Sequence, residues 1–287
     1  MLISMNELLN VAQKNSFAVG AFNICDSLLF KTVMEAAEEN DAPVIVQLAA
    51  PEFAYVGEDF FSFVLKRMEE SKVPCVLHLD HGKSMEDCVK AIRCGFNSVM
   101  IDGSALSFEE NIRITKQVAM IAHCVDVCVE AEIGTIGSLG NSPEDGVENV
   151  TYTNPQDAQT FIKETKADTL AVAIGTAHGI YPKGFVPKLR LDILEEIKHN
   201  VSVPLVLHGG SSNNDDEITR ACQLGIAKVN IASDYRKAFF ATVKETLVDK
   251  DYFWTPRVYD DAVKEAKKVI THKMHLFGCI GKAKMYR

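Results

Sequence analysis

Short apolar segments and amphipathic, helix-like segments alternate along this 287-residue chain from one end to the other. The apolar segments lack the in-and-out alternation of a sheet with one exposed face, which is typical of parallel strands covered by helices. We predict eight such strands, at residues 17–23, 44–48, 73–82, 98–101, 125–133, 169–174, 205–208 and 228–231. Helices are predicted at about residues 27–40, 59–71, 84–94, 107–123, from 155, 191–200 and 215–224.

Eight β/α units predict a closed (β/α)8 TIM barrel, a fold that often reaches this length as one domain. We therefore expect residues 1–287 to form a single barrel domain with a helical C-terminal extension that begins near Asp234. A doubly wound open sheet is the alternative, but no G-x-G-x-x-G pattern follows the first strand to support it. In a barrel, side chains at the carboxyl ends of the strands are the candidates for function.

The composition limits the partners. A formal charge of −9 argues against nucleic acid or an anionic membrane as the main partner. No apolar segment approaches the ~20 residues that span a bilayer, and the N-terminus lacks the pattern of a signal peptide. The eight cysteines form no C-x-x-C pair, which is typical of reduced thiols. We expect a cytoplasmic protein that binds a small molecule.

Three histidines, His81, His178 and His208, each end an apolar run and precede a glycine. Strand ends converge on one rim of a barrel, so residues far apart in sequence can meet there. Neutral imidazoles suit Zn²⁺, and three of them leave a fourth coordination position for substrate or water. Any one of them alone is more often a structural residue. We interpret His78, inside the third strand, as a residue that packs beside the ligands or orients them.

Five motifs follow one another along the chain: H-L-D-H-G at 78–82, V-E-A-E-I-G at 129–134, A-H-G at 177–179, V-L-H-G-G-S at 206–211 and K-V-N-I-A-S at 228–233. Together they resemble the class II, zinc-dependent ketose-bisphosphate aldolases. The correspondence extends from A-F-N at 21–23 to T-P-R at 255–257, which is almost the whole chain. The resemblance implies reversible cleavage of a phosphorylated ketose, such as fructose or tagatose bisphosphate, to dihydroxyacetone phosphate and an aldehyde.

The resemblance assigns the catalytic roles. His81, His178 and His208 match the ligands of a Zn²⁺ that acts as a Lewis acid on the ketose carbonyl. Asp80 matches the family's catalytic aspartate, which moves the proton of the C4 hydroxyl. Its alternative role is to orient the neighbouring histidine.

Two glutamates complete the predicted machinery. Glu144, in the long segment after the fifth strand, matches the mobile-loop glutamate that moves the proton on the enediolate carbon. Its alternative is a place in a solvated acidic run. Glu132, on the fifth strand, matches a glutamate close to the metal, so we expect an outer or alternative ligand.

Substrate recognition is expected in the loops after the last strands. The residues that match the family's contacts to substrate are Asn23, Gly179, Gly209, Gly210, Ser211, Asn230 and Ser233. We expect the amides of the G-G-S segment to bind the C1 phosphate and Lys183 to add a cation. Arg257 matches the arginine that holds the distal phosphate. The resemblance also implies a monovalent cation, Na⁺ or K⁺, and a homo-oligomer, either a dimer or a tetramer.

Departures from the family pattern leave the aldehyde half of the substrate open. Ala49 and Ala232 stand where a serine and an acid are common, so a ketose 1-phosphate with a non-phosphorylated aldehyde product is one alternative. A barrel metallohydrolase and a non-catalytic sugar-phosphate sensor are the others. A Schiff-base aldolase is not expected, because no predicted strand interior offers a lysine, and Lys228 opens the eighth strand at the end away from the rim.

Overall fold

The computed structural model describes residues 1–140, 150–185, 187–248 and 253–286. Its strands are β1 (Val19–Asn23), β2 (Val44–Ala49), β3 (Cys75–Gly82), β4 (Ser98–Ile101), β5 (Cys128–Ile133), β6 (Gly137–Ser138), β7 (Thr169–Val172), β8 (Ala177–His178), β9 (Leu205–Leu207) and β10 (Ile226–Ile231). Eight of these strands pair in parallel and close into a barrel in the order β1-β10-β9-β7-β5-β4-β3-β2. The other two, β6 and β8, form a separate parallel pair. The predicted TIM barrel is confirmed.

Helices lie between the strands and cover the barrel. They are α1 (Met5–Lys14), α2 (Ser27–Glu39), α3 (Ala50–Val56), α4 (Phe60–Glu69), α5 (Met85–Arg93), α6 (Phe108–His123), α7 (Pro155–Thr165), α8 (Leu191–Asn200), α9 (Asp215–Leu224), α10 (Ser233–Leu247) and α11 (Thr255–Leu276). Ser84 and Ser107 cap α5 and α6 by accepting backbone N–H groups, as polar residues at this position commonly do. A 3-10 turn at Ala283–Tyr286 follows α11.

Three local predictions differ from the structure. The helix predicted at 59–71 is preceded by a separate α3, which has a proline in its first turn and ends at Gly57 with φ of +76°. The fifth strand begins at Cys128 and not at Val125, because Asp126 adopts a left-handed φ of 57° that closes a turn first. We did not predict α1, whose buried face includes Leu8 and Leu9.

The helices α10 and α11 form an antiparallel hairpin. The ring of Phe239 in α10 lies 5.7 Å from that of Tyr259 in α11, and Lys273 Nζ lies 2.8 Å from Asp234 at the start of α10. The last turns of α11 also pack beside the barrel helices, since His272 Nε2 lies 2.8 Å from an Asp215 carboxylate oxygen in α9. The hairpin begins at the barrel rim, directly after β10.

Candidate active site

The three strand-end histidines converge. The ring centroids of His81 and His208 are 4.6 Å apart, and those of His81 and His178 are 5.1 Å apart. One nitrogen from each ring lies within 4.8 Å of one nitrogen from each of the others, and all three residues are buried. The structure therefore brings together the three histidines that the sequence singled out.

Different local structures present these rings. His81 lies within β3 with a left-handed φ of 49°, which is unusual for a residue with a side chain. His208 directly follows β9. His178 lies beyond the end of β7, in the two-residue strand β8, which pairs with β6 outside the barrel. This small sheet was not predicted, because two-residue strands carry no periodic signal.

In two of the rings, the nitrogen that points away from the cluster is hydrogen-bonded to a carboxylate. His81 Nδ1 lies 3.0 Å from Asp102 Oδ2, and His208 Nε2 lies 2.9 Å from Glu130 Oε1. The remaining nitrogens, His81 Nε2 and His208 Nδ1, face each other at 2.8 Å. A carboxylate on the second nitrogen is the usual way in which a metal-binding imidazole is oriented.

The charge balance of the cluster suits a cation. Burial alone would lower the pKa of His81, but Asp80 and Asp102 outweigh burial and raise the pKa to about 10. The two carboxylates therefore favour a positive charge, such as a proton, at His81. A divalent cation binds neutral imidazoles and displaces such protons. The donor set and its orientation fit Zn²⁺.

Asp80 is held by three side-chain amides. Asn23 Nδ2 and Gln47 Nε2 donate to Oδ2 at 2.8 and 3.1 Å, and Asn230 Nδ2 donates to Oδ1 at 3.0 Å. The carboxylate is completely buried, and its Oδ1 lies 3.9 Å from His81 Nε2.

The protonation state of Asp80 follows from these neighbours. Burial alone would raise its pKa, but the imidazoles of His81 and His208 outweigh burial and lower it. The structure thus presents an oriented, ionised base beside the histidine cluster, which is what a proton-transfer step requires.

Gln47 was missed by the sequence analysis. Its only signal was a lone amide inside the apolar run V-I-V-Q-L-A. Arg236 was missed as well: its Nη2 donates to the backbone oxygen of Asn23 at 2.8 Å and pairs with Glu52. Arg236 therefore supports the backbone of Asn23 from α10, whereas Gln47 donates to the Asn23 side chain from β2 at 2.7 Å.

A second polar layer lies inside the barrel, two residues earlier on three of the strands. Glu130 and Lys228 are completely buried, and Lys228 Nζ lies 2.9 Å from both Glu130 carboxylate oxygens. His78 belongs to the same layer, with Nδ1 2.8 Å from Ser98 Oγ and Nε2 3.7 Å from Glu130 Oε2. Our expectation that no lysine lies inside the barrel is wrong, because β10 begins at Ile226 and places Lys228 in its interior.

Glu132 lies two residues after Glu130 on β5, at the level of Asp80 and Asn230 near the barrel rim. Its Oε2 is 3.8 Å from His208 Nδ1 and has no hydrogen-bond partner among the described residues. Burial and the nearby Asp102 raise the pKa of Glu132 to about 8. One of its oxygens groups within 4.8 Å of His81 and Asp102 atoms. This position is compatible with the predicted outer or alternative ligand.

Five of the predicted substrate-binding residues line one small cavity beside the histidines. It is lined by His178, Gly179, Gly209, Ser211, Asn230, Ala232 and Ser233. Gly209 has a φ of 61°, and a Cβ there would lie 2.6 Å from the Ala177 carbonyl oxygen, so only glycine fits. The N–H of Gly210 donates to the Asn230 carbonyl at 3.1 Å. Gly210 therefore holds the loop on β10, contrary to our expectation that its amide faces a ligand.

Other predicted residues lie away from this cavity. Lys183 is exposed in a turn after β8. Arg257 is exposed in the first turn of α11, about 24 Å along the helix from Lys273. Glu144 lies outside the described residues. Among the residues that the structure describes, no helix is long and apolar enough to cross a membrane.

A barrel that gathers three buried histidines and an ionised aspartate at its carboxyl rim defines a class of metal-assisted barrel enzymes. Comparisons with known proteins identify the family within this class. The family model described as "Fructose-bisphosphate aldolase class-II" matches residues 3–282. The chain belongs to the class-II fructose-bisphosphate aldolase family, and it is accordingly an aldolase, a carbon–carbon lyase.

Relatives of similar identity carry different substrate names. A fructose-bisphosphate aldolase of Thermus caldophilus is 39% identical and aligns with 99% of this chain and 100% of its own. A 6-phospho-5-dehydro-2-deoxy-D-gluconate aldolase of Bacillus licheniformis is 40% identical, with 98% and 96% covered. The crystal structure of the YdjI aldolase from Escherichia coli K12 is 35% identical with a TM-score of 0.87, covering 99% of this chain and 100% of that one. Overall identity therefore does not select the substrate.

Proposed function

We propose that the chain cleaves a ketose 1,6-bisphosphate, such as fructose or tagatose bisphosphate, reversibly to dihydroxyacetone phosphate and an aldehyde phosphate. The observation that carries this proposal is Asp80, a buried carboxylate fixed by three amides directly beside His81 of the histidine cluster. A carbonyl held at the histidines places the C4 hydroxyl of a ketose within reach of this base.

His81, His178 and His208 would hold the zinc ion, which supplies Lewis-acid polarisation of the ketose carbonyl when bound. Asp80 takes the proton of the C4 hydroxyl during cleavage and returns it to the aldehyde oxygen during condensation. Asn230 donates to Asp80 at 3.0 Å and lines the small cavity, so it keeps the base in register with the bound triose.

The small cavity supports the position of the C1 phosphate. The loop after β9 and the first turn of α10 both border it, through Gly209, Ser211 and Ser233. Backbone amides at close-packed glycines, and at the start of a helix of eight residues or more, favour an anion. Lys183 is proposed to add a cation to this phosphate site, and Arg257 is assigned to the distal phosphate.

Glu144 is proposed to move the proton on the carbon that the bond cleavage leaves electron-rich. The support is its match to the loop glutamate of the family and its place between β6 and α7 in the sequence. The resemblance alone supports a monovalent cation, a dimeric or tetrameric assembly and a cytoplasmic location, which we also propose.

The metallohydrolase alternative has less support. Such barrels commonly place an H-x-H pair on the first strand and a metal-binding aspartate after the last. Here β1 ends in Asn23, which donates a hydrogen bond to Asp80, and β10 is followed by Ala232. Neither position therefore offers the expected metal ligand. The family match does not favour the ketose 1-phosphate alternative. The assay below includes it because Ala49 has no hydroxyl for a second phosphate.

The test is a cleavage screen of ketose 1-phosphates and 1,6-bisphosphates with coupled detection of dihydroxyacetone phosphate. We expect activity on a bisphosphate, about one zinc ion per chain by elemental analysis, and loss of both in His178→Ala. Full zinc content and turnover in that variant would refute the metal assignment. Cleavage of 1-phosphates alone would replace the proposed substrate.

A further inference from the structure

The proposed phosphate loop, residues 209–214, is tied to α10 through one carboxylate. Asp234 accepts the N–H of Ser212 with its two oxygens, at 3.0 and 3.1 Å. Ser212 has a left-handed φ of 58°, which is strained for a residue with a side chain. In return, the N–H of Asp234 donates to Ser211 Oγ at 3.4 Å. Asp234 thus fixes both serines of the loop.

This arrangement creates an electrostatic conflict. A loop that is to receive a dianionic phosphate has a largely buried carboxylate directly behind it, with only 16% of the Asp234 side chain exposed. Like charges at short range are repulsive, and burial reduces the screening by water. The loop therefore needs a compensating cation that does not occupy the phosphate position itself.

Lys273 meets this requirement. It lies near the C-terminus of α11, its side chain is 6% exposed, and its Nζ is 2.8 Å from Asp234 Oδ2. It approaches from outside the barrel, because α11 packs on α10, whereas the cavity faces the histidines. The adjacent His272 pairs with Asp215 at the start of α9. Consecutive residues of α11 thus contact both helices that flank the phosphate loop.

We propose that Lys273 is a positioning residue for phosphate recognition. It neutralises Asp234, so that this carboxylate can hold the Ser212 amide without repelling the phosphate on the other side of the loop. This inference rests on the proposed function, specifically on the triose phosphate binding beside Gly209 and Ser211. It assigns the C-terminal helix a role in substrate affinity at a distance from the reacting atoms.

The experiment compares Lys273→Met with Lys267→Met in the zinc-loaded enzyme. Lys267 is the matched control: it lies on the same helix and pairs with Glu35 and Glu39 of α2, at 3.0 and 2.8 Å, away from the loop. Binding of dihydroxyacetone phosphate and of uncharged dihydroxyacetone is measured by calorimetry. Amide hydrogen exchange at Ser212 is followed by mass spectrometry.

We expect Lys273→Met to weaken dihydroxyacetone phosphate binding about tenfold, to accelerate exchange at Ser212 and to leave zinc content unchanged. Lys267→Met should match the parent enzyme in phosphate-ligand affinity, in exchange at Ser212 and in zinc content. Lys273→Arg should restore the affinity for dihydroxyacetone phosphate. Lys273→Gln, which keeps a hydrogen-bond donor without the charge, serves as a second variant if the methionine protein does not fold.

Three outcomes would overturn the inference. They are parent-like phosphate affinity in both uncharged variants, equal losses for the phosphorylated and the uncharged ligand, and unchanged exchange at Ser212. Failure of the proposed function would look different: the parent enzyme itself would bind dihydroxyacetone phosphate no more tightly than dihydroxyacetone, while exchange at Ser212 would still respond to Lys273→Met.

Discussion

Lys228 and Glu130 form an ion pair inside the barrel, where the ammonium lies 2.9 Å from each carboxylate oxygen and solvent reaches neither side chain. Glu130 also accepts a hydrogen bond from His208, so the pair supports one of the three clustered histidines. Burial alone would raise the pKa of Glu130, but Lys228, His78 and His81 together outweigh burial and lower it. The carboxylate is therefore ionised, and it fixes which nitrogen of His208 faces the cluster.

Removing one member of this pair should be costly. We expect Lys228→Met to lower the free energy of unfolding of the chelator-treated protein by about 3–5 kcal/mol, because it leaves a buried carboxylate without its counter-charge. The double variant Glu130→Gln/Lys228→Met should lose less than the single variant, since its amide can still accept from His208. Urea unfolding of the parent, of Glu130→Gln, of Lys228→Met and of the double variant measures the coupling, and strictly additive losses would contradict a coupled pair.

Asp80→Ala should reduce the cleavage rate by roughly 10²–10⁴, the usual contribution of a positioned acid or base. Zinc content should stay at the parent level, because the proposed zinc ligands are the three histidines and not Asp80. Steady-state kinetics and elemental analysis on the same preparation separate the two effects. Near-parent turnover would remove Asp80 from the mechanism and leave it the role of orienting His81.

Glu144→Ala should slow proton exchange between dihydroxyacetone phosphate and solvent, because this residue is assigned to the carbon and Asp80 to the oxygen. Deuterium incorporation measured without any aldehyde isolates this half of the reaction. Glu148→Ala is the matched control in the same acidic segment. If exchange is unchanged in Glu144→Ala and lost in the control, the roles of the two glutamates are reversed.

Arg257→Ala should raise the KM for a ketose 1,6-bisphosphate and leave the affinity for dihydroxyacetone phosphate unchanged. The reason is that a charge-assisted contact to a distal phosphate is lost while the C1 phosphate keeps its own loop. Arg113→Ala, an exposed ion-paired arginine on α6, controls for the loss of surface charge. Equal losses for both ligands would place Arg257 at the C1 phosphate.

The ion pair between Glu38 and Arg67 predicts a pH-dependent contribution to stability. Hydrogen bonds from Arg67, at 2.9 and 2.6 Å, lower the pKa of Glu38 below its ordinary 4.5. The stabilisation is therefore present above pH 4.5 and disappears as the pH falls through the lowered pKa. Glu38→Gln should cost about 1–2 kcal/mol at pH 7 and almost nothing in strong acid.

Thermal unfolding of both proteins across this pH range tests the sign of the effect. Glu110→Gln is the matched control, because Glu110 forms a similar pair with Arg113 on an exposed helix face. Exposed pairs contribute little, so this variant should follow the parent at every pH. A deficit of Glu38→Gln that persists unchanged in acid would show that packing, not charge, links α2 and α4.

The barrel and its functional rim were predictable because both leave local patterns in the sequence. The alternation of apolar and amphipathic segments is periodic, and polar residues at the ends of apolar strands stand out. His81 and His208 were singled out in this way, and the structure places two of their ring nitrogens 2.8 Å apart.

Contacts across the barrel were not predictable, because they depend on register between strands distant in sequence. Lys228 and Glu130 lie 98 residues apart, and neither marks a strand end. A signal was nevertheless present in the sequence. Lys228 lies two residues before Asn230, and Glu130 lies two residues before Glu132. Side chains two residues apart share a face of a strand, so both should point into the barrel. The pairing that makes a buried lysine tolerable appears only when the barrel closes.

The contact between Gly209 and Ala177 has a consequence for the spacing of the histidine cluster. A single added carbon at position 209 would collide with the Ala177 carbonyl. Position 209 adjoins His208 and position 177 adjoins His178, so any larger residue would push apart the backbones that carry two of the three imidazoles. The separation of these two imidazoles therefore depends on the absence of a side chain at position 209.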